Sequence, residues 1–171
     1  MASVLDVSRA LRYPGQEFPF QAEIEIEDME FAGDPIALKN VTIQGVVVGA
    51  GERVNIRGKV ESVLKSRCVR CLEETQMPLI AEVDAVYAKE ENPDDPDLYQ
   101  FEASTIDLTD AVRDALIMEI PMRILCKEDC KGLCPVCGVN RNLVSCTCQE
   151  GGEVANPFSA LKAIVLNDEE V

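Results

Sequence analysis

The stretch CKEDCKGLCPVCGVNRNLVSCTC, residues 126–148, carries six of the chain's eight cysteines, and the chain has no histidine. The other two cysteines, Cys68 and Cys71, stand far upstream in CVRC. The start, MASVLDVSRALRYPG, lacks a cationic region followed by an apolar one, and no run approaches the ~18 apolar residues of a membrane span. The expectation is a cytoplasmic protein, where thiols are kept reduced and clustered cysteines serve as metal ligands or redox groups rather than disulfides.

The missing histidine removes Ser–His and Cys–His nucleophile pairs and any histidine-ligated catalytic zinc. In VVVGAGERV, Val54 stands where a dinucleotide-binding loop needs its last glycine, so Gly49–Gly51 reads as a hairpin turn. A chain of 171 residues, 47% of them apolar, can bury its own core without staples.

CxxC brings two thiolates to one cation while the turn's N–H groups point at the sulfurs, and a tetrahedral ion needs four such ligands. Four pairs are present: Cys68/Cys71, Cys126/Cys130, Cys134/Cys137 and Cys146/Cys148. They suit two Zn2+ ions with a structural role, since four thiolates leave no position for a substrate. Only eight residues, GVNRNLVS, separate Cys134/Cys137 from Cys146/Cys148, so these form one local site. By elimination Cys68/Cys71 shares an ion with Cys126/Cys130. A ribbon-like pairing of Cys68/Cys71 with Cys134/Cys137, or a partly occupied second site, stays open at this point. The two CxxC units look like two halves of one idea, although no whole-domain repeat is present.

Two redox readings use the same sulfurs. Cys130, Cys134 and Cys137 have the C-x3-C-x2-C spacing of radical enzymes that hold a [4Fe-4S] cluster, but those need a large barrel that this chain lacks. CPVC followed by a turn lacks the helix that activates a dithiol catalyst. An iron–sulfur electron carrier or dithiol redox protein is the alternative, because thiolates alone do not separate zinc from iron.

Around these cysteines the pattern has period two. FQAEIEIE (20–27), VTIQGVVV (41–48), VNIRGKVESVLKSRC (54–68) and MPLIAEVDAVYA (77–88) read as strands, which puts CVRC at a hairpin tip. KEENPDDPDL (89–98) reads as a solvated loop. A helix is expected at about 107–120, capped by Asp107 or a neighbouring hydroxyl, stopped by Pro121, with Leu108, Val112, Ala115 and Leu116 at helical spacing. NPFSALKAIVL (156–166) reads as a short amphipathic helix. The expected fold is α+β: an antiparallel sheet able to curl into a barrel, one or two helices, and a zinc-stapled C-terminal segment. Residues 1–125 form the β-rich domain, and the cysteine-rich 126–171 packs on it as one unit.

The net charge of −15 argues against nucleic acid at first sight. The average hides an asymmetry. Between 53 and 70 lie Arg53, Arg57, Lys59, Lys65, Arg67 and Arg70 against Glu61 alone, +6 − 1 = +5, which leaves −20 for the rest. On one extended strand the first five, all odd-numbered, share a face, unless Gly58 carries a bulge that splits them. Such a stripe is either a solvated strand face beside a zinc tetrathiolate or a contact for RNA phosphates or an acidic partner.

CVRCLE, a long spacer, CKEDCKGLCPVCGVNRN and a closing NPFSALKAI resemble, across almost the whole chain, the YceD-like proteins, the large ribosomal RNA subunit accumulation family, in their cysteine-rich form. Cys68 and Cys71 with Arg70 match its CxRC element, and Cys126, Cys130, Cys134 and Cys137 match the later block, parts of which some relatives lack. The resemblance implies a non-enzymatic ribosome biogenesis factor that supports accumulation of large-subunit rRNA. Its partner would be that rRNA or a large-subunit ribosomal protein, with no membrane and no small-molecule substrate.

Overall fold

The computed structural model describes residues 3–89 and 98–148. The helix expected at 156–166 lies outside them, as does the acidic loop at 89–98 apart from its two end residues. Elements follow in the order β1 (Val4–Asp6), α1 (Ser8–Arg12), β2 (Glu17–Ile24), β3 (Met29–Phe31), β4 (Asp34–Ala50), β5 (Arg53–Arg67), β6 (Glu74–Ala88), β7 (Leu98–Gln100), β8 (Thr105–Asp107) and α2 (Thr109–Glu119).

The main sheet runs β2-β4-β5-β6-β7, with β3 alongside β4 and only β7 parallel to its neighbour. It is open: among the described residues β2 and β7 end the ladder unpaired with each other, so the sheet does not close into a barrel. The β4–β5 turn falls on Gly51 and Glu52, with Gly51 at φ +68°, a backbone setting that glycine adopts at little cost.

Strand parity explains the core. On β5 the even positions Val54, Ile56, Val60 and Leu64 are fully buried while the odd positions face outward. On β6 the buried set is Leu79, Ala81, Val83, Ala85 and Tyr87. In β4 the parity changes from Ile36 and Leu38 to Val41, Ile43 and Val47, because the register slips between Lys39 and Thr42, where Asn40 takes φ +53°. The slip leaves the Lys39 carbonyl free to accept from the buried Ser62 hydroxyl at 3.1 Å. The β5–β6 register passes Gly58 without interruption, so the bulge that could have split the basic stripe is on β4 instead.

Helix α2 covers the apolar face through Leu108, Ala111, Val112 and Leu116, and packs on β6. Asp107 stands just before it and accepts from the Thr109 N–H at 2.9 Å and the Thr109 hydroxyl at 2.6 Å, which holds its carboxyl below the usual carboxylate range despite the opposing effect of burial. Tyr87 donates to the Asp107 carbonyl at 2.9 Å, tying the helix entrance to the sheet. Among the described residues no helix is long and apolar enough to cross a membrane.

Candidate metal centre

Arms of fifteen residues each, β5 and β6, pair from Arg53↔Ala88 to Arg67↔Glu74 and deliver Cys68 and Cys71 to the tip between them. The tip is a tight knuckle. The Cys68 N–H donates to the Glu73 carbonyl at 2.8 Å and the Leu72 N–H to the Cys68 carbonyl at 2.9 Å. The same two bonds recur at the second CxxC, from Cys134 to Val139 and from Gly138 to Cys134, both 2.8 Å. Leu72 (φ +61°) and Gly138 (φ +73°) occupy the matching left-handed position. The likeness of the two CxxC units is therefore structural, and Leu72 carries there a strain of ~1 kcal/mol that Gly138 does not.

The chain returns to the tip after α2. Val69 N–H donates to the Ile124 carbonyl at 3.0 Å and Leu133 N–H to the Arg70 carbonyl at 3.0 Å. The Arg70 guanidinium donates to the carbonyls of Cys130, 3.0 Å, and Glu128, 3.5 Å. Gly132, at φ +68°, lies so close that a Cβ would stand 3.0 Å from the Arg70 carbonyl. Arg70 is thus committed to clamping the returning segment.

These contacts gather the eight thiols into two groups. Cys68, Cys71, Cys126 and Cys130 form one, and Cys134, Cys137, Cys146 and Cys148 the other, with the sulfurs of each group within 4.8 Å of one another. This is the division expected from chain spacing, and the ribbon-like pairing is not formed. Cys68 and Cys130 Sγ are 3.8 Å apart, Cys71 and Cys126 Sγ 3.6 Å. A disulfide would need ~2.05 Å, whereas a tetrahedral ion with ~2.3 Å metal–sulfur bonds sets its ligands ~3.8 Å apart. All eight cysteines are free thiols, and the donor set fits a tetrathiolate ion in each group.

The proton balance points the same way. Burial pushes the Cys68 thiol up, but the N–H groups of Cys126, Cys71 and Arg70 outweigh it and bring the thiol down to about 6. At Cys134 the N–H groups of Cys137 and Val136 do the same, to about 6. Cys126 is pushed up to about 12 by desolvation of its sulfur and then by the neighbouring thiols of Cys130, Cys71 and Cys68. Cys148 rises to about 12 through its bond with Cys137 and burial. Each group therefore mixes thiols ready as thiolates with thiols that keep their protons beside negative neighbours, a balance that a cation removes.

The basic positions are laid out as parity requires. Arg53, Arg57, Lys59, Lys65 and Arg67 all lie on the exposed face of β5. Arg57 faces Asp84 across the ladder and pairs with Glu17 at 3.7 Å, while Lys59 faces Glu82 and pairs with Glu61 at 2.8 Å. Arg53, Lys65 and Arg67 make no ion pair among the described residues. Lys65 and Arg67 line a 610 Å³ groove that reaches Cys126 and also touches Asp28, Glu74 and Gln76.

The family model described as large ribosomal RNA subunit accumulation protein YceD matches residues 56–165, a span that begins in β5 and takes in every cysteine. The chain belongs to the YceD family. It is 28% identical over 148 residues to an uncharacterized protein of Mycobacterium tuberculosis, covering 79% of this chain and 69% of that one. It is 24% identical over 161 residues to the uncharacterized protein YlbN of Bacillus subtilis, covering 92% and 93%. A Zea mays protein named large ribosomal RNA subunit accumulation protein YCED homolog 1, chloroplastic, is 26% identical over 130 residues, 57% of this chain and 44% of that one. No solved structure matches. The YceD match begins after β1–β4, so among the described residues it covers nearly all of the β5–β6 hairpin, its cysteine tip, β7, β8, α2 and the segment returning to the tip.

Proposed function

We propose that this chain is a non-enzymatic ribosome biogenesis factor that supports accumulation of large-subunit rRNA by binding that RNA beside a zinc-stapled hairpin tip. Membership of the YceD family supports the process, since its description and its plant relatives' names carry large ribosomal RNA subunit accumulation. Two Zn2+ ions, one per thiol group, would fix the tip and take no part in a reaction, because four thiolates complete a tetrahedral shell. Such a factor works in the cytoplasm, where its thiols stay reduced.

One observation carries the RNA contact: Lys65 and Arg67, unpaired among the described residues, stand together in the groove beside Cys126. Cations without a protein partner lose nothing when they meet phosphate and release its counterions. Arg57 and Lys59, already in ion pairs with Glu17 and Glu61, contribute less. Reversing Lys65 and Arg67 to Glu is expected to weaken association with large-subunit rRNA about tenfold or more and to flatten its salt dependence, read by filter binding across a salt series. The pair Arg57→Glu and Lys59→Glu should do markedly less. Equal RNA binding by all variants would contradict the RNA contact and favour a basic ribosomal protein as partner, a reading that the net charge of −15 supports.

A further inference from the structure

Asn142 lies within the eight residues that join the two ligand pairs of the second thiol group, yet its side chain serves the first. Its amide donates to Cys130 Sγ at 3.3 Å. Its carbonyl oxygen accepts the Lys131 N–H at 2.9 Å, beside that same ligand. Asn140 holds it in place, with one oxygen accepting from the Asn142 N–H at 3.0 Å and from its amide at 2.9 Å. Both amide protons and the amide oxygen of Asn142 are thereby used.

Other bonds run the same way. The Arg141 N–H donates to the Gly132 carbonyl at 2.9 Å, Leu133 bridges Asn140, and the Asn140 amide reaches Glu73 of the hairpin tip at 3.3 Å. Loop 138–145 is thus anchored at its ends by ligands of one centre and docked by its middle on the other.

We propose that the two centres load metal as a coupled pair, with Asn142 as the positioning residue that transmits the coupling. The proposal rests on the reading that each thiol group holds an ion. An ion at the second centre fixes Cys137 and Cys146, the residues flanking the loop, and so removes most of the entropy the loop would otherwise lose on docking. Asn142 is then presented to Cys130 in advance. A hydrogen bond to a ligand sulfur orients that ligand and typically changes metal affinity about 10- to 100-fold. Linkage makes the effect reciprocal, so an ion at the first centre raises the affinity of the second by the same factor.

The test is anaerobic titration of the full-length apo chain with Co2+ against a chromophoric chelator, reading thiolate-to-cobalt charge transfer for each equivalent, with far-ultraviolet circular dichroism to confirm that the sheet is kept. The parent chain should take up two Co2+ with positive cooperativity. Asn142→Ala should still take two, with the first centre weakened about 10- to 100-fold and the cooperativity reduced. Asn142→Asp, which keeps an acceptor for the Lys131 N–H and loses the donor to Cys130, should do the same. Removing the second centre with Cys146→Ser and Cys148→Ser should weaken the first in the parent chain, and add little when combined with Asn142→Ala. Two independent equivalents, or variants that leave the first centre unchanged, would overturn the coupling while leaving the metal reading intact. A folded chain that binds no Co2+ would overturn both.

Discussion

Stripping the metal is expected to release residues 126–148 from the hairpin tip while the β4–β5–β6 sheet stays folded. The released segment contains no helix or strand of its own, and the buried cluster that its Cys130 forms with Cys68, Cys71 and Leu125 is separate from the main core. What remains without an ion is a handful of hydrogen bonds, chiefly those of Arg70 with Cys130 and Leu133 and of Asn140 with Glu73, each worth ~1 kcal/mol net. A structural zinc contributes ~10–16 kcal/mol in small cysteine domains. The sheet, by contrast, rests on fully buried Val54, Ile56, Val60, Leu64 and Tyr87, none of which depends on a sulfur. Hydrogen exchange after chelation should show amides 126–148 losing protection with those of β5 and β6 unchanged.

Acid should act in the same direction as the chelator. Cys71 and Cys126 are both raised: at Cys71 the Glu73 N–H pulls down but burial and Cys68 outweigh it, and at Cys126 the sulfur's desolvation leads, to about 12. Loading the first centre at neutral pH must therefore expel at least these two protons, and metal affinity falls about 100-fold for each unit of pH lost. As pH falls through about 6, Cys68 takes up a proton too, as Cys134 does at the second centre, and the loss steepens at both. Retained protection of 126–148 in the metal-free chain would contradict this account.

Gly45→Val is expected to destabilise the fold by about 3 kcal/mol, lowering Tm by about 10 °C. Gly45 and Gly58 are directly opposite each other in the β4–β5 ladder. A Cβ on Gly45 would land on the Arg57 carbonyl and stand 2.7 Å from Gly58 Cα. Both obstacles are backbone, so relief requires the strands to part and shifts Arg57 and Lys59 with them. The cost belongs to close approach and not to dihedral freedom, since Gly45 is in ordinary extended backbone. Thermal unfolding of the metal-loaded chain measures it, and a change within ~0.5 kcal/mol would show that β4 and β5 can separate freely there.

The long strands and the cysteine pairing were legible because both depend on local spacing. Alternation along residues 54–68 and 77–88 names one buried face, and eight residues between Cys137 and Cys146 leave the chain little choice but to close on itself. Helix α2 was visible for the same reason, through Leu108, Val112 and Leu116 at helical spacing. What escaped the sequence is short or made across distance. Helix α1 has five residues, too few for a periodic signal, and it packs where Gly49 leaves no room for a Cβ against the Ala10 carbonyl. The β1–β8 ribbon joins Val4 to Asp107 with three residues on each side. The parity change at Asn40 falls inside one unbroken strand, and its only sign is an asparagine able to take positive φ. In the sequence Arg70 reads as one more cation of the basic segment 53–70, and only the returning segment shows that its guanidinium holds two carbonyls. Asn142 could not be found from spacing, because its partner belongs to the other centre.

Metal content and the visible spectrum of the chain purified without oxygen or added metal test the central claim most directly. The expected result is a colourless protein with close to two zinc ions per chain, its eight thiols unreactive until a chelator is added. A brown protein carrying iron and sulfide, or eight thiols that titrate freely with no ion bound, would contradict two closed tetrathiolate centres and put electron transfer or thiol chemistry in their place.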